Sequence, residues 1–84
     1  MNNQHVSVTF NGKTANIGVY ENTIRGTMMM HVEGVRKLAE DFASIAYSTL
    51  VKQHRIADCY EIVKVNPANP GTGSYVQFAD PREA

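Results

Sequence analysis

Only one cysteine, Cys59, occurs in 84 residues, and tryptophan is missing. One thiol cannot close an internal disulfide and supplies too few ligands for a cysteine-based zinc site, so the fold has to rest on its apolar core. Charge of a single sign is missing too, since 8 Lys and Arg offset 8 Asp and Glu. That balance argues against both the basic excess of a general nucleic-acid binder and the acidic excess of a DNA mimic. No run approaches the ~20 apolar residues that span a bilayer. The opening Met1-Asn2-Asn3-Gln4-His5 has neither the basic region nor the apolar run of a signal peptide. The expectation is a cytoplasmic protein with a native start. Repeats, linkers and low-complexity segments are absent as well, and 84 residues hold one domain around one core, with residues 1–4 and 80–84 expected to be mobile ends.

What is there centres on Val32 to His54. Val35, Leu38, Ala39, Phe42, Ile45, Ala46, Thr49 and Leu50 follow the three-then-four spacing of one helical face. The other side carries Glu33, Arg36, Lys37, Glu40, Asp41, Ser44 and Ser48. Glu33 with Lys37, Arg36 with Glu40, and Lys37 with Asp41 stand four apart, pairs worth ~0.2–0.5 kcal/mol each in a helix. Glu33 near the start and Lys52, His54 and Arg55 near the end match the helix dipole. Upstream, Ile24, Met28 and Val32 extend the apolar spacing, but Gly26 and Gly34 would each cost roughly 1 kcal/mol inside a helix. Thr23 to Met30 therefore reads as a first helical turn or two, a third strand, or an irregular connection. A helix start between Met28 and Val32 is favoured.

Before the helix, Val6, Val8 and Phe10 alternate, as do Ala15, Ile17 and Val19, with Asn11-Gly12 between them. That pair predicts a type I′ hairpin, because both central residues need positive φ. If Phe10 faces Lys13, then Val8 faces Ala15 and Val6 faces Ile17, and the apolar residues share one face. Gly18 interrupts the second strand and suggests a bulge or a close backbone approach. After the helix, Cys59 to Val65 has high β propensity, with Tyr60 and Ile62 on one side and Cys59, Val63 and Val65 on the other, as in a central strand or a partly covered sheet. Asn66 to Gly73 reads as a loop, and Ser74 to Ala79 as a last strand with Val76 and Phe78 opposite Tyr75. The predicted fold is a two-layer α+β domain, ββαββ, in which one long amphipathic helix packs on one face of a four-stranded antiparallel sheet. The two hairpins are placed side by side, with strand order left open.

No catalytic constellation stands out. His5, His31 and His54 form no metal-ligand spacing, so neither a metal nor a cofactor is expected. Asp58-Cys59 close to His54 could support a nucleophile, but a thiol inside a strand is more commonly buried and inert. Pro70-Gly71-Thr72-Gly73-Ser74 leads into a strand and not the helix that a phosphate loop requires. Glu40-Asp41 reads as solvated charge. The departure from the helical pattern is Tyr47 and Val51, roughly 140° and 180° around from Phe42, with His54 extending them at about 120°. This ridge is the expected partner-binding surface, covered by this chain's own loop or tail, by a second copy, or by another protein.

The reading is a non-enzymatic protein-binding module. In small size and lack of motifs the chain resembles small proteins of phages and mobile elements, anti-CRISPR inhibitors among them, and that resemblance implies an anti-defence inhibitor or adaptor covering a site on a larger host complex. The alternative is a nucleic-acid-binding module, with Tyr60 and Tyr75 stacking on bases from a shared sheet face and Lys52, Arg55 and Lys64 as a basic rim beside His54.

Overall fold

The computed structural model describes residues 2–34, 36–69 and 73–83. Five strands and one α-helix follow in the order β1 (Asn2–Phe10), β2 (Lys13–Asn22), β3 (Thr27–Val32), α1 (Ala39–Lys52), β4 (Glu61–Asn69) and β5 (Gly73–Ala79). Short 3-10 turns at Arg36–Leu38 and Pro81–Glu83 precede the helix and follow the last strand. The sheet is antiparallel, ordered β1-β2-β3-β5-β4. The chain is thus a small α+β domain with its helix on one face of the sheet.

The first hairpin forms as its sequence demands. Asn11 and Gly12 sit at φ 55° and 76°, the pair of positive values that a type I′ turn requires. Phe10 pairs with Lys13, Val8 with Ala15 and Val6 with Ile17. Gly18 causes no bulge. Tyr20, two residues on, lays its ring over the glycine, so that a Cβ there would lie 2.9 Å from the Tyr20 hydroxyl. The side chain that glycine lacks is replaced by its neighbour's ring.

The sheet has five strands rather than four, because Thr27–Val32 is a strand and not the start of the helix. Met28, Met30 and Val32 are buried while Met29 and His31 are only half-buried, which is the two-residue period of a strand. Met28 and Val32 fit a spacing of four equally well, and that coincidence lets the segment mimic a helical stripe. Gly26 and Gly34, at φ 64° and 72°, turn the chain at both of its ends. The Asn22 side chain steadies the first turn by accepting the Arg25 N–H at 3.2 Å. The helix consequently begins at Ala39, so Glu33, Arg36 and Lys37 precede it.

At its other end α1 closes by a Schellman arrangement. The Arg55 N–H donates to the Leu50 carbonyl at 2.9 Å and the His54 N–H to the Val51 carbonyl at 3.0 Å. Both bonds need residue 54 in the left-handed region, and His54 has φ 57°. The chain then crosses to β1. Arg55 Nε donates to Gln4 Oε1 at 2.7 Å, its Nη2 to the His5 carbonyl at 3.3 Å, and Gln4 Nε2 returns a bond to the Arg55 carbonyl at 2.9 Å.

Packing settles which face is buried. Phe42, Ala46 and Leu50 of the helix meet Ile17, Val19, Met30, Val32 and Val76 of the sheet, all of them 0% exposed. Ala39, Ala43 and Ala46 have no bulk beyond Cβ and let the helix approach the sheet closely. Each of the larger side chains gains about 1.5–3 kcal/mol by leaving water. Phe10 meets Phe42 edge to face at 5.8 Å on the β1 side, and Tyr47 meets Phe78 at 5.5 Å on the β5 side.

The C-terminal half departs furthest from its sequence reading. The two expected hairpins are not neighbours, since β3 separates β2 from β5. β4 begins at Glu61, so Cys59 and Tyr60 precede it, and it is an edge strand and not a central one. Much of the expected Asn66 to Gly73 loop is strand: β4 continues to Asn69 and β5 starts at Gly73, while residues 70–72 lie outside the described part. A register shift after Ile62 moves Val63 to the side of Lys64 and brings Val65 opposite Val76, so Val63 and Val65 do not share a face.

Candidate functional site

With the helix on one face, the other face of the sheet has no layer over it among the described residues. Cross-strand pairing arranges its side chains in rows. One row runs Asn3, Tyr20, Met29, Gln77 and Lys64, and the next runs His5, Gly18, His31, Tyr75 and Asn66. Tyr20, Met29, Gln77 and Val63 border a groove of about 370 Å³. Asn22, Thr27 and Ala79 complete its near wall, Met28 and Phe78 reach it from the core, and none of these side chains is charged. Val63 is 61% exposed at its rim, and the His31 ring lies against Tyr75 with centroids 4.8 Å apart.

The expected partner ridge is not a free apolar surface. Tyr47 is half-buried between Tyr60 and Phe78, and its hydroxyl accepts the Tyr60 N–H at 3.0 Å. The chain therefore covers this tyrosine itself, through the segment before β4 and through β5. Val51 is half-buried against the core, and His54 serves the helix terminus. The discrepancy is one of angle. The buried face runs from Phe42 to Ala43 with Ala46 between them, so Tyr47, about 40° beyond Ala43, occupies its flank and not the opposite side.

The residues of the nucleic-acid alternative are dispersed. Tyr60 is buried on the helix side, where its O–H donates to Glu21 Oε2 at 2.8 Å, while Tyr75 lies on the open face. The two do not share a sheet face. Arg55 is engaged with Gln4, His5 and Gln53. Lys52 ends the helix, and Lys64 stands beside Gln77 on the open face, so the cations form no rim with Tyr60.

A polar cluster fills the end of the core near Tyr60. Burial, and next the Glu21 carboxylate, push the Tyr60 hydroxyl well above the usual tyrosine range, and burial raises that of Tyr47 as well. Asp80 is held far below the ordinary carboxylate range by Arg82, whose Nε and Nη2 donate to it at 3.1 and 2.9 Å. Cys59 is shifted upward by burial and by the Asp80 carboxylate beside it. That keeps the thiol protonated, the reverse of an activated nucleophile. Among the described residues no three His, Cys, Asp or Glu side chains gather as a metal site, and no helix is long and apolar enough to cross a membrane.

The groove residues Met29, Val63 and Gln77 are not marked by the sequence as site candidates. The signal for Met29 was present in the alternation of Met28 to Val32, once that segment is read as a strand. Nothing local marked Val63, because the register shift that exposes it depends on β5. No protein-family model matches the chain, and neither a curated protein nor a solved structure matches it.

Proposed function

We propose that the chain is a small non-enzymatic protein-binding module that docks the uncovered face of its sheet on a larger protein or complex. The observation that carries this reading is the groove beside Tyr20, Met29, Val63 and Gln77, which has an apolar floor and no charged wall. Methionine adapts to irregular surfaces and tyrosine supplies broad contact area, so the groove suits an uncharged apolar projection of a protein. A phosphate backbone would need cations there, and none of the residues that line the groove is charged. An inhibitor or adaptor works by this kind of coverage, and an anti-defence role falls within it.

The test immobilises the chain and passes over it a nuclease-treated bacterial lysate, with mass spectrometry of what is retained. One protein complex in stoichiometric amount is expected on the native chain and on Val51→Glu, and is lost on Val63→Glu, whose exposed position leaves the fold intact. Retention unaffected by Val63→Glu removes the groove from the interface. Loss of all retained protein on nuclease treatment favours nucleic-acid binding instead.

A further inference from the structure

The two edges of the sheet are built differently. β4 carries Glu61 and Lys64, a proline at residue 67 and register shifts after Ile62 and Asn66. Each of these spoils pairing with another strand. β1 has none of them: its nine residues run in unbroken register along β2 without proline, glycine or a Lys, Arg, Asp or Glu.

The Asn11-Gly12 turn also decides which backbone groups of β1 face outward. Across a two-residue turn Phe10 and Lys13 form the hydrogen-bonded pair, so Val8, Val6 and Gln4 bond to β2 as well. The N–H and C=O of Asn3, His5, Ser7 and Thr9 then point away from the sheet. The bond from Arg55 to the His5 carbonyl agrees with that parity and occupies one outward position. Ser7 and Thr9 remain as an open edge. Alongside it runs an apolar strip on the helix side: Val6 is half-buried, Phe10 is 36% exposed, and Leu38 and Ile45 lie half-buried on the flank of the helix that Phe42 turns toward β1.

We propose that β1 pairs antiparallel with β1 of a second copy about a two-fold axis at Val8, setting Ser7 opposite the partner's Thr9. The second copy is the fitting occupant because this register is self-complementary. It pairs the outward amides of Ser7 and Thr9 in both copies and sets Val6 against the partner's Phe10, the two incompletely buried apolar residues of the strand. It also leaves the His5 carbonyl to its own Arg55, and an uncharged strand meets no like charge at the axis. The sheets continue into one another with both helices on the same face, and the groove of each copy stays open.

Sedimentation equilibrium of the full chain, from micromolar to about 1 mM, tests this together with amide exchange. Concentration-dependent dimers are expected, with the Ser7 and Thr9 amides exchanging slowly when concentrated and fast on dilution, while Val6 and Val8 stay protected throughout. Ser7→Pro removes an outward N–H without touching a bond to β2, and should weaken the dimer about tenfold or more. Circular dichroism checks its fold, and the exchange pattern of the native chain decides the matter if that variant does not fold. A chain monomeric at about 1 mM overturns the proposal. So does a dimer that leaves Ser7 and Thr9 exchanging freely, or one abolished by Val63→Glu, which would place the contact on the groove.

Discussion

Tyr47 and Tyr60 on one side of the sheet and Tyr20 and Tyr75 on the other are the same residue type put to opposite uses. The first pair has its rings in the core and its hydroxyls in defined bonds, Tyr60 to Glu21 and Tyr47 to the Tyr60 N–H. The second pair lies on the uncovered face, Tyr20 roofing Gly18 and Tyr75 lying against His31. A buried tyrosine needs a partner for its hydroxyl, and the chain supplies one in Glu21, a carboxylate 3% exposed. An outward tyrosine meets water and needs none, so it remains free to contact another molecule.

Four substitutions would break or sharpen that contrast. Tyr60→Phe deletes a hydrogen bond to a carboxylate and should lower stability by about 1.5–3 kcal/mol in urea unfolding. It should also change the alkaline limb. The folded Tyr60 ionises well above the ~10 of the unfolded chain, so its stabilising contribution is complete below pH ~10 and is lost as pH rises beyond it. Stability measured from neutral pH upward should therefore fall less steeply in Tyr60→Phe than in the native chain; an identical slope would mean that the hydroxyl is not held as the geometry has it. Tyr47→Phe removes the acceptor of one backbone N–H and should cost about 1 kcal/mol by the same measurement. His54→Gly reverses the sign, raising stability by roughly 0.5–1 kcal/mol in thermal unfolding because glycine adopts the left-handed terminus without strain. Tyr75→Ala should change stability by no more than about 0.5 kcal/mol. A larger loss would show that the open face supports the fold.

Legibility in the sequence follows the range of the interactions. The Asn11-Gly12 hairpin, its register, and a helix carrying Phe42, Ala46 and Leu50 on its buried side are decided within a few residues, and sequence patterning captures them. Met28 to Val32 is decided by whether a neighbouring strand is present on each side, and a spacing that serves both periods hides this. Tyr60 is decided by Glu21, 39 positions earlier. Read as part of a strand it alternates outward; in fact it precedes β4 and turns into the core. Tyr47 misled for a related reason: the angular centre of the helical face depends on where the sheet lies, and Phe42 stands toward one margin of it. The groove was least legible, because its wall is assembled from β2, β3, β4 and β5 and its most exposed member is set by an irregularity in pairing.

The sheet order carries a consequence for how the chain reaches its native state. β5 is the last of the described strands to be synthesised, yet it lies between β3 and β4 and is the only described strand that touches both. Until it arrives, the β1-β2-β3 meander must keep one margin vacant, and β4, already translated, has no described strand to bind. Native closure is therefore a late, long-range event, the kind of topology that folds slowly for its size. During that interval the bare margin of β3 joins the β1 edge as a place where the nascent chain can mispair.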